Sequence, residues 1–140
     1  MEKNRYQRGL DKMMEYTITD NKEISTHLKI SEELGDLAPG LENYIIEFAY
    51  GDIYMREGLT NQQRAMITIS SLATLGTEPQ LELHINTALT AGVKPREIVE
   101  TVMHLIPYTG FPRVLNALKV IKKVFAQRNV EIKELELQAH

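Results

Sequence analysis

His84 is the position in this 140-residue chain whose type and placement could do chemistry. Read as helix, the segment after Pro79 puts His84 on one face with Leu81, Ala88 and Ala91, so an ionisable ring faces inward among apolar neighbours. Two readings stand side by side: a structural histidine whose nitrogens are satisfied by backbone or hydroxyl partners, and an acid/base group that needs company. Company is available from Arg56, Arg64, Tyr108 and Arg113, which fall at or near helix ends or in loops next to the most apolar stretch. An arginine fork can hold a carboxylate at two points, and a tyrosine hydroxyl can donate to a developing oxyanion. Each of these residues alone reads equally well as a solvated surface group.

Other chemistries lack their residues. There is no cysteine, which excludes disulfides, thiolate nucleophiles, dithiol redox cycles and Cys-ligated zinc. Arg96, Glu100 and His104 form a row on one helix face, an exposed ion-pair ladder by default, and no HExxH or paired-His spacing points to a metal. No GxGxxG, P-loop or GxSxG is present. Met13, Met14, Tyr44, Tyr50 and Tyr54 are read as packing residues.

The elements that must position these side chains are helical, because no stretch alternates with a period of two. Thr60-Asn61-Gln62-Gln63 is a capping box and Gly76 the matching stop. Thr77-Glu78-Pro79-Gln80 repeats the pattern up to Gly92, Pro95 opens a third helix that weakens at Pro107, and a fourth runs from Pro112 to about Gln127. Upstream, a helix is expected from Leu41 to Glu57, with less definite ones at 4–16 and 21–34, a loop at 35–40, and a C-terminal tail over 127–140 that extends the last helix or frays. The run Ala65–Leu75 carries no charge and is expected to lie centrally, with neighbours all round.

Length, at 16.0 kDa, allows one domain over 1–140. With 43% hydrophobic and 25% charged residues the composition is that of a folded globular protein. A net charge of −3 offers no basic field for nucleic acid or anionic membrane. The charged N-terminus lacks a signal-peptide core and no apolar run is long enough to span a bilayer, so a cytoplasmic location is expected. More apolar helical stripes than one small chain needs suggest burial between subunits.

The run LELHINTALTAGVKPREIVETVMHLIPYTGFPRVLNAL, residues 81–118, resembles the carboxymuconolactone decarboxylase domain. That domain's pattern is E-L-x-x-H (here with Gln80 in first place), A-L-x-x-G-V, E-I-x-E and Y-x-G-x-P. Residues 49–70 resemble the decarboxylase branch, with Tyr50 and Tyr54 where that branch often has tryptophan, and Tyr6-Gln7-Arg8-Gly9-Leu10 fits its opening Y-x-x-G-x. The resemblance covers about residues 5–126 and implies an all-α, AhpD-like bundle of about six to seven helices. Thiol peroxidases of the same superfamily carry C-x-x-C-x-x-x-H. Here Thr77 and Gln80 occupy the cysteine positions, His84 the histidine, and Ala65 an upstream glutamate position, so peroxidase chemistry is excluded.

What remains implied is a cofactor-independent decarboxylase acting on γ-carboxymuconolactone or a related small carboxylate, with no metal. In that reading His84 is the acid/base group and able to carry a proton near neutral pH. Arg64 and Arg56, with Arg113, hold carboxylates, and Tyr108 donates to the lactone or its enolate. The resemblance also implies a homo-oligomer, trimer or hexamer, in which His27 could enter the site of another chain. A non-enzymatic helical oligomer that kept the fold is the alternative.

Overall fold

The uncharged run from Ala65 to Leu75 has to bury part of its surface, and the rest of the chain is arranged to help it do so. The computed structural model describes residues 2–18, 24 and 26–131, and among them every regular element is helical. The order is α1 (Arg5–Met14), α2 (His27–Leu34), α3 (Leu41–Asn43) continuing directly into a π-helical segment (Tyr44–Ile53), α4 (Asn61–Leu75), α5 (Glu78–Thr90), α6 (Pro95–Met103), α7 (Ile106–Thr109) and α8 (Phe111–Gln127). Seven of these elements run eight residues or longer. The expected helix at 21–34 is described only from its N-cap, Thr26, since residues 19–23 and 25 lie outside the described set, as does the tail beyond 131.

Two helix boundaries follow the sequence closely. The Thr60 hydroxyl accepts from the Gln63 amide at 3.1 Å and the Gln63 side chain accepts from the Thr60 amide at 2.9 Å, closing the capping box of α4. Gly76 ends α4 at φ 75°, a left-handed conformation that glycine adopts without strain. The second expected capping box does not form: the Thr77 hydroxyl turns back to the Leu72 carbonyl at 3.4 Å, and Pro79 in the first turn of α5 removes an amide that would need a cap. Pro107 likewise opens the short α7 rather than kinking α6, which has already ended at Met103.

The core gathers Met13, Tyr16, Ile46, Tyr50, Ile69, Ile85, Ile98, Val102, Val114 and Ile121 from all the longer elements except α2. Helix α4 is central on one side only. Ala65, Ile69 and Ala73 are buried, whereas Ile67 and Leu75 are exposed, so the expectation of neighbours all round is corrected. The lack of charge on its outer face is not used within one protomer.

Helix α1 lies against the π-helical segment at backbone contact. A Cβ on Gly9 would sit 1.8 Å from the Ile46 carbonyl oxygen, and one on Gly51 would sit 3.1 Å from the Arg5 carbonyl oxygen. The Arg5 side chain adds ion pairs to Asp52 and Glu47, whose exposure limits them to a small contribution. Gly9→Ala therefore drives the two elements apart, and the helix-propensity gain of about 1 kcal/mol is outweighed by overpacking of about 3 kcal/mol or more. The expected result in a thermal melt is a fall of roughly 5–10 °C. An unchanged midpoint would contradict the close approach.

Candidate active site

The site is built where α2, the π-helical segment, α4 and α5 meet. Gln62 donates to the Ala91 carbonyl at 2.6 Å, which ties the start of α4 to the end of α5 and sets the two helices antiparallel. From α5, His84 reaches the ring of His27, which opens α2, with ring centroids 5.0 Å apart. His27 in turn meets Tyr50, whose hydroxyl lies 3.1 Å from His27 Nδ1. Tyr50, Tyr54 and Tyr16 pack ring against ring at 4.3 to 6.0 Å. His27 thus comes from the same protomer as His84, not from another chain.

The long π-helical segment is what aims these tyrosines. Its bonds run to the fifth residue, as from the Tyr54 amide to the Ala49 carbonyl at 2.9 Å, which widens the turn and swings Tyr50 and Tyr54 together. The reading of Leu41–Glu57 as ordinary α-helix is corrected accordingly.

Hydroxyl hydrogens in the cluster are already committed, and this fixes the polarity around them. Thr68 donates to the Arg64 carbonyl at 2.9 Å, so the Tyr54 hydroxyl, 3.5 Å away, is the donor in that long contact. Thr87 donates to the His84 carbonyl at 3.0 Å, so toward the ring its oxygen is an acceptor, 3.4 Å from Nδ1. This polarity assigns the His84 proton to Nδ1 and leaves the Nε2 lone pair open.

Burial and the second imidazole push His84 down to about 3, and burial pushes His27 down to about 4. Both rings are neutral at neutral pH in the free protein. The expectation that His84 carries a proton there is corrected: desolvation disfavours the cation, and among the described residues no carboxylate bonds either ring. Burial likewise pushes the Tyr16 and Tyr50 hydroxyls well above the usual phenol value, so both stay protonated donors.

Arg64, in the first turns of α4, donates through Nη2 to the Arg56 carbonyl at 2.6 Å and lies close enough to Tyr16 to favour its ionised form. Its Nε is buried without a partner. Arg56 is exposed and contributes its backbone oxygen.

Tyr108 and Arg113 are not brought to this cluster. Arg113 donates to the Leu75 carbonyl at 3.1 Å and covers Gly76 at the far end of α4, about 16 Å of helix rise from Arg64. Tyr108 is exposed and leans on His104, with ring centroids 5.6 Å apart. Within one protomer they lie away from His84 and Arg64, because a sequence places residues at helix ends without saying which end. Sequence reasoning named His27 only as a contributor to another chain's site and missed Tyr16, Tyr50 and Tyr54; the signal for the last two was a pair of tyrosines four apart in a motif that often carries tryptophan.

Neither histidine is sealed off, since His27 and His84 both keep partial exposure. The cavity beside His27, lined by Thr26, Asn86, Thr87 and Thr90 among others, holds about 10 Å³, room for one water. Among the described residues no group of three or more His, Cys, Asp or Glu converges on a metal position, and no helix is long and apolar enough to cross a membrane.

Among the described residues every regular element is helical, and two partly exposed, neutral imidazoles are joined through Tyr50 and Tyr16 to the neighbourhood of Arg64. The chain belongs to the carboxymuconolactone decarboxylase family, whose sequence pattern matches residues 39–123. It is 31% identical over 124 residues to a 4-carboxymuconolactone decarboxylase of Acinetobacter baylyi, covering 89% of each chain. It is 33% identical over 97 residues to an uncharacterised 15.0 kDa protein of Paracoccus denitrificans, covering 68% of this chain and 72% of that one. A nitrosuccinic acid decarboxylase of Metarhizium robertsii is 35% identical over 85 residues, 61% of this chain and 59% of its own.

Proposed function

We propose that this protein is a cofactor-independent decarboxylase of a small lactone carboxylate, converting γ-carboxymuconolactone, or a related acid, to 3-oxoadipate enol-lactone. The observation that supports it best is an imidazole held neutral at one end of a ring cluster whose other end, Tyr16, lies near a guanidinium with a buried, unpartnered Nε. Relatives named as decarboxylases of 4-carboxymuconolactone and of nitrosuccinic acid, both small acids, agree with it.

In this reading Arg64 holds a substrate carboxylate, with Arg56 at the rim. The second carboxylate leaves as carbon dioxide when its C–C bond breaks. The electron pair remaining on carbon spreads into the lactone carbonyl, where Tyr54 donates a hydrogen bond in place of its long contact to Thr68. The imidazolium of His84 then delivers its proton to carbon and returns to the neutral form. The reaction consumes one proton, which His84 takes from solvent when the substrate's charge arrives. A carboxylate about 4 Å from the ring is worth about 4 kcal/mol at an effective dielectric near 20, or about three pKa units. One such charge lifts a ring from about 3 to about 6, and a second, more distant one carries it into the neutral range.

We also propose a homo-oligomer. Ile67, Leu75, Tyr108, Phe111 and Leu115 are exposed, and an open groove of about 550 Å³ runs between α4 and α6 beside Ile67 and His104. Only through such a neighbouring copy would Tyr108 and Arg113 come to a site, and a solution mass above 16.0 kDa is expected.

The deciding experiment offers γ-carboxymuconolactone to purified protein and follows loss of substrate absorbance with release of carbon dioxide. Turnover is expected. Its absence would favour the second reading, a helical oligomer that kept the fold without the chemistry, which the 10 Å³ cavity supports.

A further inference from the structure

We propose that His27 is a second working imidazole of this site, a positioning residue that shares with His84 the proton taken up when a carboxylate binds. This rests on the reading of the cluster as a carboxylate site.

The two ring centroids stand 5.0 Å apart at 62°, an edge-to-face contact close enough for the charge on one ring to act on the other. The other edge of His27 is fixed by Tyr50, whose hydroxyl is 3.1 Å from Nδ1, so the ring is held by a hydrogen bond and not by packing alone. A place for a water exists beside His27. The cavity of about 10 Å³ is lined by His27, Asn86, Thr87 and Thr90, and the Thr90 hydroxyl oxygen is buried without a partner. A buried hydroxyl facing a water-sized space is what a bound water satisfies.

The surroundings explain why one proton, and only one, belongs to the pair. His84 faces His27 from α2 and Thr87 from its own helix. His27 faces Tyr50 from the π-helical segment and Asn86 from α5, with Tyr54 and Tyr16 behind Tyr50. The charged groups nearby are the Arg64 guanidinium beside Tyr16, the Glu15 carboxylate acting on that same tyrosine, and Arg128, which donates to Asn86 at 3.1 Å. No resident carboxylate bonds either ring among the described residues, so the charged form waits for an arriving anion. Once one ring is protonated, the proximity of the second opposes another proton, and the two titrate as a unit.

The test uses glutarate, a small unreactive dicarboxylate, with calorimetry at pH 7 in two buffers of different ionisation enthalpy. The wild type is expected to take up about one proton per glutarate bound. His27→Phe, which keeps the ring shape without nitrogens, is expected to bind about tenfold more weakly with a clearly reduced proton count, and His27→Asn to recover part of both. Helical circular dichroism checks folding. Should both variants fail to fold, the ¹⁵N shifts of the His27 ring in the wild type decide: movement toward imidazolium on adding glutarate supports the sharing, and no movement overturns it. Binding by His27→Phe with the wild-type affinity and proton count would reduce His27 to a packing residue. Glutarate binding without proton uptake would overturn this inference alone, whereas no glutarate binding at all would remove the carboxylate site and this inference with it.

Discussion

His84→Gln is expected to lower kcat for the decarboxylation by about 10²–10⁴-fold, the usual range for loss of a positioned acid/base group, while the helices stay folded. Glutamine keeps a polar side chain within reach of Thr87 but carries no proton to deliver. Its KM should move little if Arg64 supplies most of the anion binding, so the loss falls on kcat. The same substitution has a signature in stability. His84 sits at about 3 in the folded chain and near 6.5 in the unfolded one, so between those values the unfolded state binds the extra proton. Stability is therefore complete above about pH 6.5 and declines as pH falls toward 3, and His27, at about 4, adds to the decline over most of that window. Denaturant melts of His84→Gln should show a shallower loss of stability from pH 6.5 to 4 than the wild type. Equal turnover in the two proteins would take the histidine out of the mechanism. Equal acid sensitivity would contradict its neutral burial.

The sequence made His84 visible because its chemistry and its helical face could be read from spacing, and the neighbours on that face, Leu81 and Ala88, are buried. Capping and stop signals located α4 equally well, since the Thr60–Gln63 box and Gly76 act within a few residues. The partners of His84 were not legible in this way. His27 lies 57 positions upstream, and nothing local to either residue encodes their meeting. It depends on α1 docking through Gly9, on the π-helical segment turning Tyr50 toward α2, and on α5 lying against α4. The widened turn was hidden as well, because its sequence, YIIEFAYGDI, has the composition of any apolar helix. Ionisation was misjudged for a related reason: a histidine's ordinary pKa belongs to water, and burial first, then the nearby second imidazole, push this ring down with no bonded carboxylate to oppose them. Tyr108 and Arg113 show a further gap: a motif turn and a helix end suggested them, and within one protomer Arg113 caps α4 while Tyr108 lies on the surface.

Arg64→Met should then separate binding from proton transfer. The substitution keeps most of the apolar stem that lies by Tyr16 and removes the guanidinium, including the Nη2 bond to the Arg56 carbonyl and the Nε that has no partner in the free protein. A charge-assisted hydrogen bond is worth about 1.5–3 kcal/mol, so kcat/KM is expected to fall about 10–100-fold, carried mainly by KM, with glutarate affinity falling in parallel. Stability should change little, because losing the 2.6 Å bond to Arg56 is offset by losing a buried donor that nothing satisfies. Arg64→Lys should recover part of the affinity through charge alone and leave the two-point grip missing. Arg113→Met is the informative contrast, since that guanidinium caps the Leu75 carbonyl. It should lower the melting temperature by a few degrees, for about 1 kcal/mol lost at the helix end, with KM unchanged if each protomer holds its own site. A rise in KM for Arg113→Met as large as that for Arg64→Met would instead assign Arg113 to the site of a neighbouring copy. An Arg64→Met enzyme with wild-type KM and glutarate affinity would leave the imidazole pair without its anion anchor and overturn the carboxylate reading of the cluster.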